Sequence, residues 1–157
     1  MLIHRSGASH CLFLPYIIMY NRSMRDGSRQ LFLEKALECL AGAESEFAER
    51  RYNNCVNRCY YGCFQSAIAA LLHDGILLTG GRTTWGHDFV QAQFVGQLIN
   101  RRKVYASGLR DSLARNLILR HTADYTIEPI TETQAARAVR RTREFLRAVE
   151  TREAERP

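Results

Sequence analysis

Between residues 53 and 73, apolar side chains recur at Val56, Cys59, Tyr60, Cys63, Phe64, Ala67, Ile68 and Leu71. Alternating gaps of three and one trace a single broad stripe along a helix, a pattern that a strand's period of two does not satisfy. Such a stripe must be covered by other elements, which commits the chain to a helix-on-helix core. The segment stops at His73-Asp74-Gly75, where glycine can take the left-handed conformation that closes a helix. Upstream, Leu33, Leu37, Leu40 and Phe47, widened by Ala36 and Ala43, give a second amphipathic helix starting at Ser28. Only Glu49-Arg50-Arg51-Tyr52 separates the two, with Asn53 available as an N-cap, so they should form an antiparallel hairpin.

The remainder reads the same way. Residues 76–86 are a loop rich in glycine and threonine; Gly80-Gly81-Arg82-Thr83-Thr84 lacks the lysine, spacing and preceding strand of a phosphate-binding loop. Val90, Phe94 and Leu98 line a third helix over about residues 87–99, and Arg101-Arg102-Lys103 makes a basic turn. Leu109, Leu113, Leu117 and Arg120 share a face of a fourth helix, about residues 107–121. Thr131-Glu132-Thr133-Gln134 has the spacing of a capping box. It opens a last helix with Ala135, Ala138, Val139, Phe145, Leu146 and Val149 inward and Arg137, Arg140, Arg141, Arg143 and Arg147 outward. The expected fold is an all-α, up-and-down bundle of four or five helices over residues 28–152, with a short tail at 153–157. Residues 1–27 read as an appendage. Its apolar run Cys11 to Tyr20 is about half a membrane span, is interrupted by Pro15 and is followed by no small-residue cleavage site, so no membrane association is expected.

The 157 residues suffice for one domain, and they carry a net charge of +6. All the basic residues except Lys35 and Lys103 are arginine, whose planar fork suits bidentate phosphate contact. A solvated basic surface and a nucleic-acid footprint both fit that balance. The five cysteines, 11, 39, 55, 59 and 63, are an odd set without the look of a disulfide framework, which suggests a reducing cytoplasm. Cys55 and Cys63 stand about 12 Å apart on a straight helix, too far for one zinc ion to collect both with Cys59. They read as small residues at a close helix approach, and neither metal nor cofactor is expected.

Polar chemistry gathers in Leu119-Arg120-His121-Thr122-Ala123-Asp124-Tyr125. One helix end there combines a fixed cation, a titratable imidazole, a carboxylate and a phenol. His121 can act as a general base or as a cation at the helix C-terminus. Arg120 can contact phosphate or pair with Asp124 as a cap. Arg58, inside an otherwise apolar helix, either reaches out to solvent or supplies a second phosphate contact. Tyr60 and Tyr61 read as core and interface residues, and His87 as a cap of the third helix.

Three segments resemble one family. Arg51-Tyr52-Asn53-Asn54-Cys55-Val56-Asn57-Arg58-Cys59-Tyr60-Tyr61-Gly62-Cys63-Phe64-Gln65 is similar to the Y-x-x-A-x-x-R-A-Y-Y-A-x-F segment of HEPN domains. His87 with Val90 and Phe94 resembles the next helix of that family, and Leu119 to Tyr125 resembles the L-R-x-x-A-D-Y ending of a small bacterial and archaeal branch. The resemblance spans about residues 29–150. It implies a helical bundle, often a twofold dimer, frequently paired as toxin with a minimal nucleotidyltransferase. It also implies RNA or nucleotide as a ligand.

Many HEPN relatives are metal-independent endoribonucleases in which four to six residues separate an arginine from a following histidine. Cleaving RNA through its own 2′-hydroxyl needs a base, an acid and a cation for the phosphorane, which histidine and arginine provide. Here Arg115-Asn116 precedes His121 with five residues between Arg115 and His121. On a continuous helix those two side chains lie about 120° apart, so convergence within one chain needs a bend. Aligning Arg120 instead places Tyr125 where the histidine belongs, which implies a degenerate nuclease or a modified tyrosine. The candidate catalytic residues are therefore Arg115, Arg120 and His121, with Arg58, Asn116, Asp124 and Tyr125 as substrate contacts. Three functions follow: a HEPN toxin or RNA- or nucleotide-binding component beside a nucleotidyltransferase, an endoribonuclease with a composite site in a homodimer, or a non-catalytic helical interaction module.

Overall fold

A computed structural model describes residues 13–155 of the protein. Its five α-helices are α1 (Phe13–Ala48), α2 (Tyr52–His73), α3 (His87–Gln93), α4 (Ser112–Tyr125) and α5 (Glu132–Glu155), with no strand among the described residues. α3 continues in π-helical form through Phe94–Arg101, and a 3-10 turn at Ser107–Leu109 leads into α4. The all-α bundle required by the α2 stripe is what forms.

α2 is the central helix and packs against α1, α3, α4 and α5. Val56, Cys59, Tyr60, Cys63, Ala67, Ile68 and Leu71 are all buried. Close approach is possible because small residues face the neighbours. A Cβ placed on Gly62 would stand 3.0 Å from Thr142 Cγ2 of α5 and 3.5 Å from the Ala36 carbonyl of α1. Cys55, Cys59 and Cys63 are fully buried and unpaired. Burial pushes the Cys63 thiol up to about 11, against the opposing pull of its hydrogen bonds to Thr142 and from Asn116.

Local signals set the helix ends. Gly75 has φ 76°, its N–H donates to the Leu72 carbonyl and the Ile76 N–H reaches the Leu71 carbonyl at 2.8 Å, closing α2 as a Schellman turn. Thr131 N–H donates to Gln134 Oε1 at 2.9 Å and Gln134 N–H donates to Thr131 Oγ1 at 3.3 Å, the reciprocal capping box at the start of α5. The α1–α2 turn uses the same closure as the end of α2, but with Arg50 (φ 58°) in the left-handed position.

Four local expectations are corrected. α1 begins at Phe13 rather than at Ser28. Pro15 falls in its first turn, where a missing N–H forfeits no helical hydrogen bond. Residues 1–12, including Cys11, His4 and His10, lie outside the described residues. Asn53 does not cap α2, which starts one residue earlier; its Oδ1 instead accepts from Ile130 N–H at 3.3 Å and ties the α4–α5 loop to α2. Leu37 is 39% exposed, and the buried face of α1 runs through Leu33, Ala36, Cys39 and Ala43. Arg141 is only partly outward: its Nε and Nη2 donate to Asn116 Oδ1 at 3.3 and 3.1 Å. Among the described residues, no helix is long and apolar enough to cross a membrane.

Candidate functional site

On α2, Asn57, Tyr60, Tyr61 and Phe64 occupy positions i, i+3, i+4 and i+7, one face of the helix. The second half of α4 crosses that face and delivers Arg120, His121 and Asp124, while the first residue of α3 delivers His87. Three elements therefore meet at one place.

Arg120 is the hinge of the arrangement. Its guanidinium carbon lies 5.0 Å from the Tyr61 ring centroid and 5.4 Å from that of Tyr60, a cation held over two π faces. Its Nε donates to Asp124 Oδ2 at 3.3 Å, one helical turn along. The other carboxylate oxygen, Asp124 Oδ1, accepts from Asn57 Nδ2 at 2.7 Å. Asp124 thus fixes the guanidinium and joins α4 to α2. The Arg120 side chain is only 17% exposed, and its Nη groups make no hydrogen bond among the described residues.

Tyr60 is 2% exposed, stacks on Phe64 and meets Tyr61 edge-on. Its hydroxyl shares a hydrogen bond with His87 Nδ1. The His87 ring also packs on Phe64 at 4.8 Å between centroids. Burial against these rings pulls the His87 pKa below the ordinary imidazole value, with Arg120 and His121 adding to the pull and Asp88 opposing it. Burial also raises the Tyr60 phenol, with Arg120 opposing. Both shifts favour the uncharged forms of this phenol–imidazole pair. His121 is exposed beside this group and meets Tyr125 edge-on at 5.6 Å; Tyr125 is 73% exposed.

Of the seven residues expected from sequence, four come together: Arg120, His121, Asp124 and Tyr125. Three do not. Asn116 is fully buried, donating from Nδ2 to Thr142 Oγ1 at 3.1 Å and to Cys63 Sγ at 3.3 Å while holding Arg141. An amide so engaged is a core strut and not a substrate contact. Arg58 is exposed and lays its stem along α1, with Cδ 3.7 Å from the Cβ position of Gly42, so it reaches outward on another face of α2. Arg115 pairs with Asp111 at 3.6 Å and is 64% exposed. Because α4 is unbroken from Ser112 to Tyr125, Arg115 and His121 do not converge within one chain.

Sequence reasoning gave Asn57 no role and read Tyr60, Tyr61 and His87 as structural residues outside the site. The spacing of the first three was a usable signal, since it matches the face presented to α4. His87 had none, because only the return of the long loop brings it to Tyr60. Among the described residues, no group of three or more His, Cys, Asp or Glu side chains is disposed to hold a metal ion.

The HEPN domain family matches this chain over residues 30–152, which includes every element of this site. No curated protein matches the chain.

Proposed function

The chain belongs to the HEPN family, and on that premise we propose that it is the RNA- or nucleotide-binding component of a two-gene module. In that module it acts as toxin in the cytoplasm beside a minimal nucleotidyltransferase. The observation that carries the reading is Arg120. A guanidinium clamped by Asp124, lying over Tyr60 and Tyr61 and flanked by two imidazoles, is a pre-positioned contact for phosphate. The exposed phenol of Tyr125 beside it is available to a nucleotide-transferring partner. The test is expression alone and with the adjacent gene, combined with RNA binding by the purified protein. Growth arrest relieved by the partner, and RNA affinity lost in Arg120→Ala, are expected. No growth effect and unchanged affinity would reject the reading.

A second reading, the metal-independent endoribonuclease with a composite site in a homodimer, is favoured by the exposed face of α4. Arg115, Ile118, His121 and Tyr125 share that face, and Ile118 is 64% exposed. If two copies pair α4 antiparallel about Ile118, Arg115 of each stands opposite His121 of the other. His87, held neutral, then takes the proton of the 2′-hydroxyl. The 2′-oxygen attacks phosphorus, and the departing 5′-oxygen takes its proton from His121. The products are a 2′,3′-cyclic phosphate and a 5′-hydroxyl. Mixing Arg115→Ala with His121→Ala subunits discriminates: a shared site recovers roughly a quarter of the wild-type sites in random dimers. A site within one chain recovers none.

A further inference from the structure

The α1 helix runs on past the C-terminus of α2, and the two enclose a cleft of about 370 Å³ at that end of the bundle. Arg22, Arg25 and Arg29 line it from one face of α1, at spacings of three and four. His73 and Asp74 line it from the end of α2, and Arg102 from the basic turn. Four guanidinium groups thus face two carboxylates, Asp26 and Asp74.

One oxygen of the Asp74 carboxylate is already committed, and the other, Oδ2, is buried without a hydrogen bond among the described residues. The Asp74 side chain is 5% exposed and its Oδ1 lies 3.8 Å from Arg102 and 3.6 Å from Arg152; Arg102 also donates to the Asp74 carbonyl at 2.7 Å. Asp74 therefore acts as a strut that positions arginines. Arg29 Nη1 donates to His73 Nδ1 at 2.9 Å. A guanidinium offers only donors, so that ring nitrogen is the acceptor and carries no proton. The buried Arg29 Nε makes no hydrogen bond among the described residues. Arg25 reaches over the Gly75 turn, its Nη1 3.7 Å from where a Cβ would stand.

We propose that this cleft is a second ligand site, for a run of adjacent phosphate groups such as the oligophosphate of a nucleoside triphosphate. Arg22 to Arg29 spans about 10 Å of helix, longer than one phosphate reaches. Among the described residues no Phe, Tyr or Trp side chain lines the cleft, and recognition falls on the phosphates. The site lies about 20 Å along α2 from Tyr60, so it stands or falls separately from the Arg120 surface.

The test is calorimetry on the full chain at fixed ionic strength, with tripolyphosphate, orthophosphate, ATP and a 5′-hydroxyl RNA oligomer. Tripolyphosphate and ATP should bind with similar affinity, each about tenfold or more tighter than orthophosphate. Arg22→Gln/Arg25→Gln should weaken both about tenfold, whereas Arg140→Gln, an exposed arginine of α5 outside both surfaces, should leave both unchanged. Should the double variant misfold, the exposed single change Arg22→Gln should still weaken tripolyphosphate about threefold. Absence of tripolyphosphate binding, equal loss in Arg140→Gln, binding of ATP without tripolyphosphate, or tighter RNA binding through the same arginines would each overturn the proposal.

Discussion

Asn116→Leu isolates the most consequential buried polar group. Asn116 is fully buried and makes four contacts: two accepted from Arg141, one donated to Thr142 Oγ1 and one to Cys63 Sγ. Leucine keeps much of the volume, so the cavity contribution is small. What is lost is the acceptor for a partly buried guanidinium whose charge burial already disfavours. Removing a hydrogen bond to a charged group costs about 1.5–3 kcal/mol, and the lost neutral bond to Thr142 adds about 1. The expected total of about 3 kcal/mol corresponds to a fall in Tm of roughly 6–12 °C for a chain of this size. Arg141→Met added to Asn116→Leu should recover most of that, because an apolar pair replaces a polar one with no orphan left. Denaturant melts of the four proteins complete the cycle. A loss under about 1 kcal/mol, or a double variant as unstable as the two singles summed, would refute this network as a structural unit. RNA affinity should stay at the wild-type level throughout, since Asn116 does not reach the Arg120 surface.

Other expectations follow from the same geometry. Gly62→Ala should destabilise by about 1–3 kcal/mol in a thermal melt, because the new methyl meets Thr142 Cγ2 at 3.0 Å between helices that cannot easily part. Arg50→Gly should stabilise by about 1 kcal/mol, since the left-handed conformation at φ 58° no longer opposes a Cβ. His87 has a depressed pKa, so the folded state resists its protonation. Its contribution should be intact above about pH 6.5, fall as acid protonates the unfolded chain first, and level off below the folded-state value. The stability difference between wild type and His87→Gln should follow that curve, and a flat difference would count against the packing of His87 on Phe64 and Tyr60.

Much of the fold was legible because its determinants are local. The α2 stripe, the Gly75 turn and the Thr131–Gln134 box each depend on residues within one or two turns of one another. Reading the start of α1 at Ser28 failed because Pro15 looks like a breaker unless it is known to sit in a first turn. The site was half legible. Arg120, His121, Asp124 and Tyr125 are consecutive turns of one helix, so their gathering needed no tertiary knowledge. Asn57 and Arg58 are neighbours in sequence but differ by about 100° around α2, and only the crossing of α4 decides which one matters. Asn116 looks like a surface amide until α5 brings Thr142 and Arg141 to it. His87 joins Tyr60 through a loop whose path no periodicity encodes.

The central claim is that His87, Arg120 and His121 form one phosphate-facing surface. Proton NMR titration of the histidine rings with a short non-hydrolysable RNA tests it directly. The account predicts that the His87 and His121 resonances shift together as phosphate approaches, and that Arg120→Ala abolishes the change. Resonances of both rings that stay fixed at saturating RNA would contradict it.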